Sequence, residues 1–467
     1  MKDYQSGSKL YLFGITLIAV IGGLLFGYDT AVISGAERAL EQFFSQATDF
    51  EYSKAWHGIT ASSALIGCVI GGAISGLLAS RWGRRKSLIF ASVLFFLSAM
   101  GSYRPEFLFF EFGKPSFSLL LAFNAYRVLG GIGVGLASAL CPMYIAEVAP
   151  ANIRGRLVSF NQFAIIFGML VVYFVNYLIR TSLPGDIEQA MIAVGWRRMF
   201  VSEAFPAATF GFLLLLVPET PRFLVMSGKD DKALRVLSRI NGVETAKGIL
   251  AEIRETVAEK RDKLFSYGVT VVLIGILLSF FQQAVGINVV LYYAPRIFEN
   301  MGASGDASLM QTVVMGVVNI IFTVVAILTV DKFGRKPLLV IGSVGMMTGM
   351  IALSILSFKD VIGIAALVFI IIYTASFMMS WGPICWVLIS EIFPNTIRGQ
   401  AVAIAVAAQW ISNFVVSSTF PSLSEWSVGG TYLIYAVFSL LSAVFVLRFV
   451  PETKGKTLED MTRLWKK

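Results

Sequence analysis

Charge is scarce in this chain. Charged residues make up 14% of its 467 positions, where a soluble globular domain carries roughly 25%. That shortage excludes a protein whose whole surface faces water. Histidine is scarcer still, with His57 alone, and there are only three cysteines, Cys68, Cys141 and Cys385. Residues so few and so scattered offer neither a metal-ligand spacing nor a disulfide framework, and the cysteines read as small buried apolar groups. No nucleophile–base set or phosphate-cradling loop is evident, which argues against an enzyme. No metal and no organic cofactor is expected. The chain also lacks any Asn-x-Ser/Thr sequon, which favours a bacterial inner membrane over a glycosylated cell surface.

What the chain has instead is apolar sequence. Hydrophobic residues reach 56% and the mean hydropathy is +0.75. A membrane-crossing helix needs about 20 consecutive apolar residues. Runs of that kind lie near 10–35, 57–80, 87–104, 117–146, 156–180, 197–217, 267–297, 307–330, 338–357, 362–390, 400–423 and 428–450. The expected fold class is an all-α membrane protein of twelve spans. The first run is too long for a signal-peptide core and reaches Phe26-Gly27-Tyr28-Asp29 without a cleavage site, so it reads as a span that is kept.

The chain repeats itself at half its length. Arg81-Trp-Gly-Arg-Arg-Lys86 returns as Lys332-Phe-Gly-Arg-Lys-Pro337. Glu147-Val-Ala-Pro-Ala-Asn-Ile-Arg154-Gly155 returns as Glu391-Ile-Phe-Pro-Asn-Thr-Ile-Arg398-Gly399, with the Glu-to-Arg spacing kept. A looser pair is Pro218-Glu-Thr-Pro-Arg222 against Pro451-Glu-Thr-Lys-Gly455. Repeated membrane halves commonly enclose a cavity that opens alternately to either side. The expected organisation is a six-helix half over 1–217, a linker over 218–264, a second half over 265–450 and a tail over 451–467. The linker is rich in both signs of charge and has helical apolar spacing in Asp230–Ile240 and Ile249–Arg254, which suits short amphipathic helices under the bundle. The net charge of +9 is not a nucleic-acid signal. Most basic residues of the short connections fall on the side of the repeated loops and the termini, and fewer (Arg38, Lys54, Arg104, Arg296 and others) on the opposite side. By the positive-inside rule both termini are expected in the cytoplasm.

A charge at bilayer depth is costly and calls for a reason. Three stand out: Asp29 in the first run, Arg127 in the fourth and Glu203 in the sixth. Arg127 precedes Val-Leu-Gly-Gly-Ile-Gly-Val-Gly135, a small-residue face that permits close helix packing. Asp29 with Arg127 reads either as a static buried pair or as a proton site that charges and discharges when the pair separates. Glu203 reads as a coupling group or a helix-end charge. His57, at the start of the second run, reads as a solvated interfacial residue. The seventh run holds Gln282, Gln283, Asn288 and Tyr292 around Gly286, a place where the helix can break. The tenth holds Ser380-Trp-Gly-Pro383 and Trp386, and the eleventh Gln409-Trp410. Carboxamides exchange hydrogen bonds with hydroxyls and aromatic faces cover C–H patches, so this set suits a sugar. Interhelical glue is the plainer alternative.

These residues and repeats resemble the major facilitator superfamily, in its sugar porter branch, over residues from about 10 to 460. Within that branch the stretches Gly23–Gly35, Ser159–Gly168 and Ala403–Trp410 are similar to bacterial D-xylose–proton symporters. The resemblance implies the two pseudo-symmetric six-helix halves of the major facilitator fold. It implies sugar contacts at Gln282, Gln283, Asn288, Gln409 and Trp386, with Tyr292, Asn319, Phe26, Phe377 and Trp410 around them. It implies proton coupling through Asp29 and Arg127, joined by Glu203, with the proton as the coupling ion. It implies a gating latch at the repeated loops: Arg84, Arg85, Glu147 and Arg154 in one half; Asp331, Arg335, Glu391 and Arg398 in the other. The chain departs from the pattern at Met169, where the branch usually offers a sugar-binding glutamine, and at Ser80, where Asp331 has its acidic counterpart. The expected activity is proton-coupled import of a small neutral monosaccharide, D-xylose or a related pentose or hexose, by a functional monomer in the bilayer. A facilitative uniporter and a non-transporting sugar sensor are the competing readings; the short tails count against a sensor.

Overall fold

The computed structural model describes residues 7–107, 110–150, 153–258, 263–360, 363–394, 397–454 and 465. Most of the tail over 451–467 therefore lies outside the described residues. The first half crosses with Lys9–Phe44, Lys54–Trp82, Arg84–Tyr103, Phe117–Val148 and Arg154–Thr181. Serine hydroxyls cap several spans: Ser8, Ser53 and Ser116 each accept from a backbone N–H three residues on, as do Ser304 and Ser427 in the second half, satisfying donors that the first helical turn leaves open.

The sixth crossing is divided, which the run of apolar residues did not foretell. Ile187–Ala190 passes through a π-helical turn, Met191–Gly195, into Trp196–Val201 and then, after a break at Ser202–Glu203, into Ala204–Leu214. Pro206 explains the break: it has no N–H for the carbonyl of Ser202, and its ring crowds that carbonyl. Among the described residues, eleven helical stretches are long and apolar enough to cross a membrane, two of them, Val269–Tyr292 and Ile364–Ile389, counted across a break, and the sixth crossing is made in pieces.

The second half follows with Val269–Ala284, Ile287–Tyr292 and Ala294–Asn300 as one broken seventh crossing, then Gly305–Phe333 and Arg335–Phe358. The tenth crossing is also broken, into Ile364–Met378 and Trp381–Glu391, before Arg398–Trp426 and Val428–Phe449 close the half. Gly286 adopts φ +89° at the first break, and Pro383 accounts for the second by crowding the carbonyl of Met379.

Spans pack closely where glycine lets them. A Cβ on Gly131 would lie 1.7 Å from the Ala64 carbonyl oxygen, and one on Gly135 would lie 2.4 Å from that of Cys68, so the second and fourth spans touch backbone to backbone. Between halves, the second span packs on the eleventh, the fifth on the eighth, and the first on the broken seventh. The linker helices Pro221–Met226, Asp230–Asn241 and Val243–Ala258 share a small core of their own, built on Leu224, Ala233, Leu237, Ala246 and Leu250. They lie at the end of the bundle that also holds both terminal segments: the Ser8 N–H donates to the Arg239 carbonyl, and the Trp465 indole to that of Ile392.

Candidate functional site

The break at Gly286 brings the seventh-span amides together. Gln282 and Gln283 end one helix and Asn288 begins the next. The Gln282 Nε2 donates to the carbonyls of Trp381 at 2.9 Å and Gly382 at 3.2 Å, in the first turn of the second tenth-span helix. The Gln283 Nε2 donates to Gln282 Oε1 at 3.3 Å, Asn288 donates to Gln283 Oε1, and Gln409 donates to Gln282 Oε1. Four side chains predicted from sequence thus form one relay, centred on Gln282. Gln409 Oε1 in the relay, Trp410 Nε1 next to it in the chain and Asn319 Oδ1 on the eighth span are buried with no hydrogen-bond partner among the described residues. Buried polar atoms are rarely left so, and such atoms suit a polyhydroxylated guest.

Aromatic residues accompany these amides on the first, seventh, tenth and eleventh crossings. The rings of Phe26 and Trp410 meet at 5.5 Å between centroids, joining the first half to the second. The Tyr292 hydroxyl accepts from Asn413 Nδ2 at 3.3 Å. Phe377 packs against Gly382. Trp386 is half-buried one turn further along the same helix. Met169 is buried in the fifth span, where Gly27 of the first span approaches its backbone.

One turn beyond Phe26, Asp29 is fully buried, and its Oδ1 accepts from Arg127 Nη1 at 2.6 Å. Arg127 Nη2 also donates to the Asp29 carbonyl at 3.1 Å, and the guanidinium lies 4.9 Å from the Phe200 ring centroid. Asp29 Oδ2 and both oxygens of Glu203 have no hydrogen-bond partner among the described residues. The Glu203 carboxyl stands within electrostatic reach of Asp29 and Arg127, at the break in the sixth span. Glu203 directly precedes the helix Ala204–Leu214 and is wholly buried.

At the end that carries the termini, the three sequence repeats prove to be one device built twice. Gly83 and Gly334 turn at φ +88° and +90°, conformations that favour glycine. A Cβ on Gly83 would lie 2.3 Å from Glu219 Oε2, and one on Gly334 would lie 2.7 Å from Glu452 Oε2. Glu219 caps the third span through the N–H groups of Arg84 and Arg85, as Glu452 caps the ninth through those of Arg335 and Lys336. Burial pushes the Glu219 carboxyl above its ordinary range. For Glu452 burial acts the same way but is outweighed by backbone N–H donors, including those of Lys454 and Arg335, which hold it below. Arg84 then reaches Glu147 at 2.7 Å, and Arg335 reaches Glu391 at 2.9 Å. Arg85 donates to the carbonyls of Leu214 and Leu215.

The repeated Glu-to-Arg spacing therefore does not mark an ion pair along the chain. Glu147 pairs with Arg84 rather than Arg154, which is exposed. Glu391 pairs with Arg335, while Arg398 donates to the Phe393 carbonyl at 3.3 Å. Both pairs tie spans of one half together. The Ser80 hydroxyl bonds its own helix at Leu77; the Asp331 side chain lies outside the described residues. Replacing Glu147 with alanine is expected to destabilise the purified protein by about 2 kcal/mol, because it strands a largely buried guanidinium; Arg154→Ala is expected to change stability by less than about 0.5 kcal/mol. Thermal unfolding in detergent checks this, and equal shifts for the two variants would refute the assignment.

At the opposite end lies a cluster that the sequence reading missed. His57 is not solvated: it is 1% exposed, with Nε2 at 2.8 Å from Glu37 Oε2 and Nδ1 at 3.2 Å from the Tyr52 hydroxyl. Glu37 Oε1 accepts from Arg296 Nε at 3.0 Å. Glu41 pairs with Arg296 and with Lys54. Glu37 and Glu41, four residues apart near the end of the first span, were the available signal; only the fold brings Arg296 to them. Two further pairs cross between halves here, Arg38 with Glu299 and Arg180 with Asp306. Among the described residues, every ion pair between the two halves lies at this end. Three potential metal-ligand atoms of Glu37, Glu41 and His57 lie within 4.8 Å of one another, but Arg296 and Lys54 already occupy the carboxylates.

Comparison with known proteins agrees with this architecture. A family model described as "Sugar (and other) transporter" matches residues 15–465. The chain is 52% identical to a D-xylose-proton symporter of Escherichia coli, over 97% of this chain and 96% of that one. It is 40% identical to a glucose facilitated diffusion protein of Zymomonas mobilis, over 97% of each. A solved inward-open conformation of the E. coli xylose transporter superposes with a TM-score of 0.88 at 50% identity, covering 97% of this chain and 100% of that chain.

Proposed function

The chain belongs to the sugar transporter family, with the major facilitator fold, and from that premise we propose that it imports a neutral monosaccharide, a pentose such as D-xylose foremost, together with a proton. The observation that carries this reading is on the first span. Phe26, which walls the amide pocket against Trp410, and Asp29, which pairs with Arg127, stand one helical turn apart. A sugar that moves the first span therefore moves the proton site. Asp29, Glu203 and Arg127 hold two carboxyl groups and one guanidinium in a low-dielectric interior, a set that balances its charge with one proton. The proton's place on such a set changes when Arg127 and Asp29 part.

Residues 1–217 and 265–450 act as the two moving bodies, and 218–264 as the linker that restrains them. The Arg84–Glu147 and Arg335–Glu391 pairs make the inner end of each body rigid. The working unit is a monomer, since pocket and proton site are complete in one chain. It lies in a bacterial inner membrane with both termini cytoplasmic, as the distribution of basic residues favours. The outer ends are closed on one another in this structure, through Arg38–Glu299, Arg296–Glu37 and Arg180–Asp306.

Counterflow in proteoliposomes against a panel of pentoses and hexoses tests the substrate. Exchange of D-xylose or a close relative is the expected result, and exchange of none of them would overturn the reading. Met169 brings a thioether where an amide would serve a sugar better. Met169→Gln is expected to tighten pentose binding about tenfold, the worth of one good hydrogen bond of about 1.4 kcal/mol. Calorimetry giving equal or weaker affinity would refute it.

A further inference from the structure

We infer that Glu37 and His57 form a second proton site, apart from Asp29, which takes up a proton from the outer solution when Arg296 withdraws and so favours opening of the outer mouth. The inference rests on the alternating-access reading above. With the mouth closed, two carboxylates, Glu37 and Glu41, face two fixed cations, Lys54 from the second span and Arg296 from the seventh. That set is neutral with an uncharged imidazole. Arg296 belongs to the other half, and Tyr293 on the same crossing also meets the His57 ring, at 6.3 Å. Opening the mouth carries both away.

The first half is then left with Glu37, Glu41 and Lys54, one negative charge in excess. The exposed members of the other crossing pairs, Arg38 and Asp306, can rehydrate. Glu37 starts far deeper: with the mouth closed its side chain is 2% exposed and that of His57 is 1% exposed. A buried carboxylate that loses its cation calls for another. The imidazole already stands at 2.8 Å, and histidine is the side chain that exchanges a proton near neutral pH. Tyr52 fits both states, because its hydroxyl can donate to a neutral ring at Nδ1 or accept from a protonated one. The imidazolium thus replaces the guanidinium at Glu37. The proton enters and leaves on the same side, so this site sets how readily the mouth opens and adds nothing to the stoichiometry of transport.

The sign follows from linkage. The open state binds one proton more, so acidification favours it, by at most about tenfold in the open-to-closed ratio per pH unit. Spin labels at Gln46→Cys and Asn300→Cys, exposed positions on opposite halves at this end, report the opening as a distance. The three native cysteines are buried and give little background. The long-distance population is expected to grow as pH falls from about 8 to about 5. His57→Gln, which keeps polar contacts to Glu37 and Tyr52, is expected to flatten that response, and Glu37→Gln to do the same. A pH-insensitive wild type, an opposite sign, or an unchanged response in either variant overturns the proposal. A protein that moved no sugar yet showed the His57-dependent response would overturn the transport reading and leave this one standing; pH-insensitive distances in a protein that symports sugar would do the reverse.

Discussion

Asp29→Asn is expected to abolish accumulation of sugar against its gradient while leaving sugar binding largely intact. The acid is fully buried, bound to Arg127 through one oxygen and free at the other. The amides, not the acid, are the proposed sugar contacts. With asparagine in place, Glu203 and Arg127 balance each other, and the cluster no longer needs a proton. One charge moving down a membrane potential gains about 2.3 kcal/mol per 100 mV. At a potential of roughly 150 mV that is about 3.5 kcal/mol, a sugar gradient of a few hundredfold. All of it is expected to vanish, whereas exchange between equal sugar pools survives. The measurement is uptake of labelled sugar into proteoliposomes with an imposed proton gradient. If Asp29→Asn still concentrates sugar in a pH-dependent way, the carrier lies elsewhere, and Glu203 is the next residue to replace. A facilitative uniporter, the competing reading, would show no such gradient even in the wild type.

The second large effect is expected at Gln282. Its amide lies at the centre of the relay. It donates to the carbonyls of Trp381 and Gly382 and accepts from Gln283 and Gln409. Gln282→Ala removes the proposed sugar ligand and also the donor to two tenth-span carbonyls. Losing two hydrogen bonds of about 1.4 kcal/mol each lowers affinity about a hundredfold. Gln409→Ala, at the edge of the relay, is expected to cost about tenfold by the same measure. Isothermal titration with the sugar found by counterflow decides it. Equal losses for the two variants, or a loss under threefold for Gln282→Ala, would show that the relay is glue between helices and not a binding site.

Much of this was legible in the residues alone. Apolar runs of span length, scarce charge and three internal repeats determined a two-half helical bundle, because in lipid a backbone can satisfy its hydrogen bonds only within helices or closed barrels. The costs of burying Asp29, Arg127 and Glu203 and of solvating amides in hydrocarbon marked those side chains before any fold was known. Gly286 and Pro383 announced breaks that the structure contains, since their effects are local to the backbone. The pairing of charges was not legible. The repeat put Glu147, Arg154 and Arg84 in one set without saying which of them pair, because spacing along a chain is all that a sequence displays; the fold gives Glu147 to Arg84 and makes Glu219 the cap beside it. The same holds at the end opposite the termini. His57 is a lone histidine next to a polar loop, and Arg296 looked like a topological charge. Only the meeting of the first, second and seventh crossings buries the imidazole and sets it between Glu37 and Tyr52. Burial and long-range electrostatics depend on neighbours far away in the chain, so the sequence determined which groups must be explained, and the tertiary structure decided which of them answer one another.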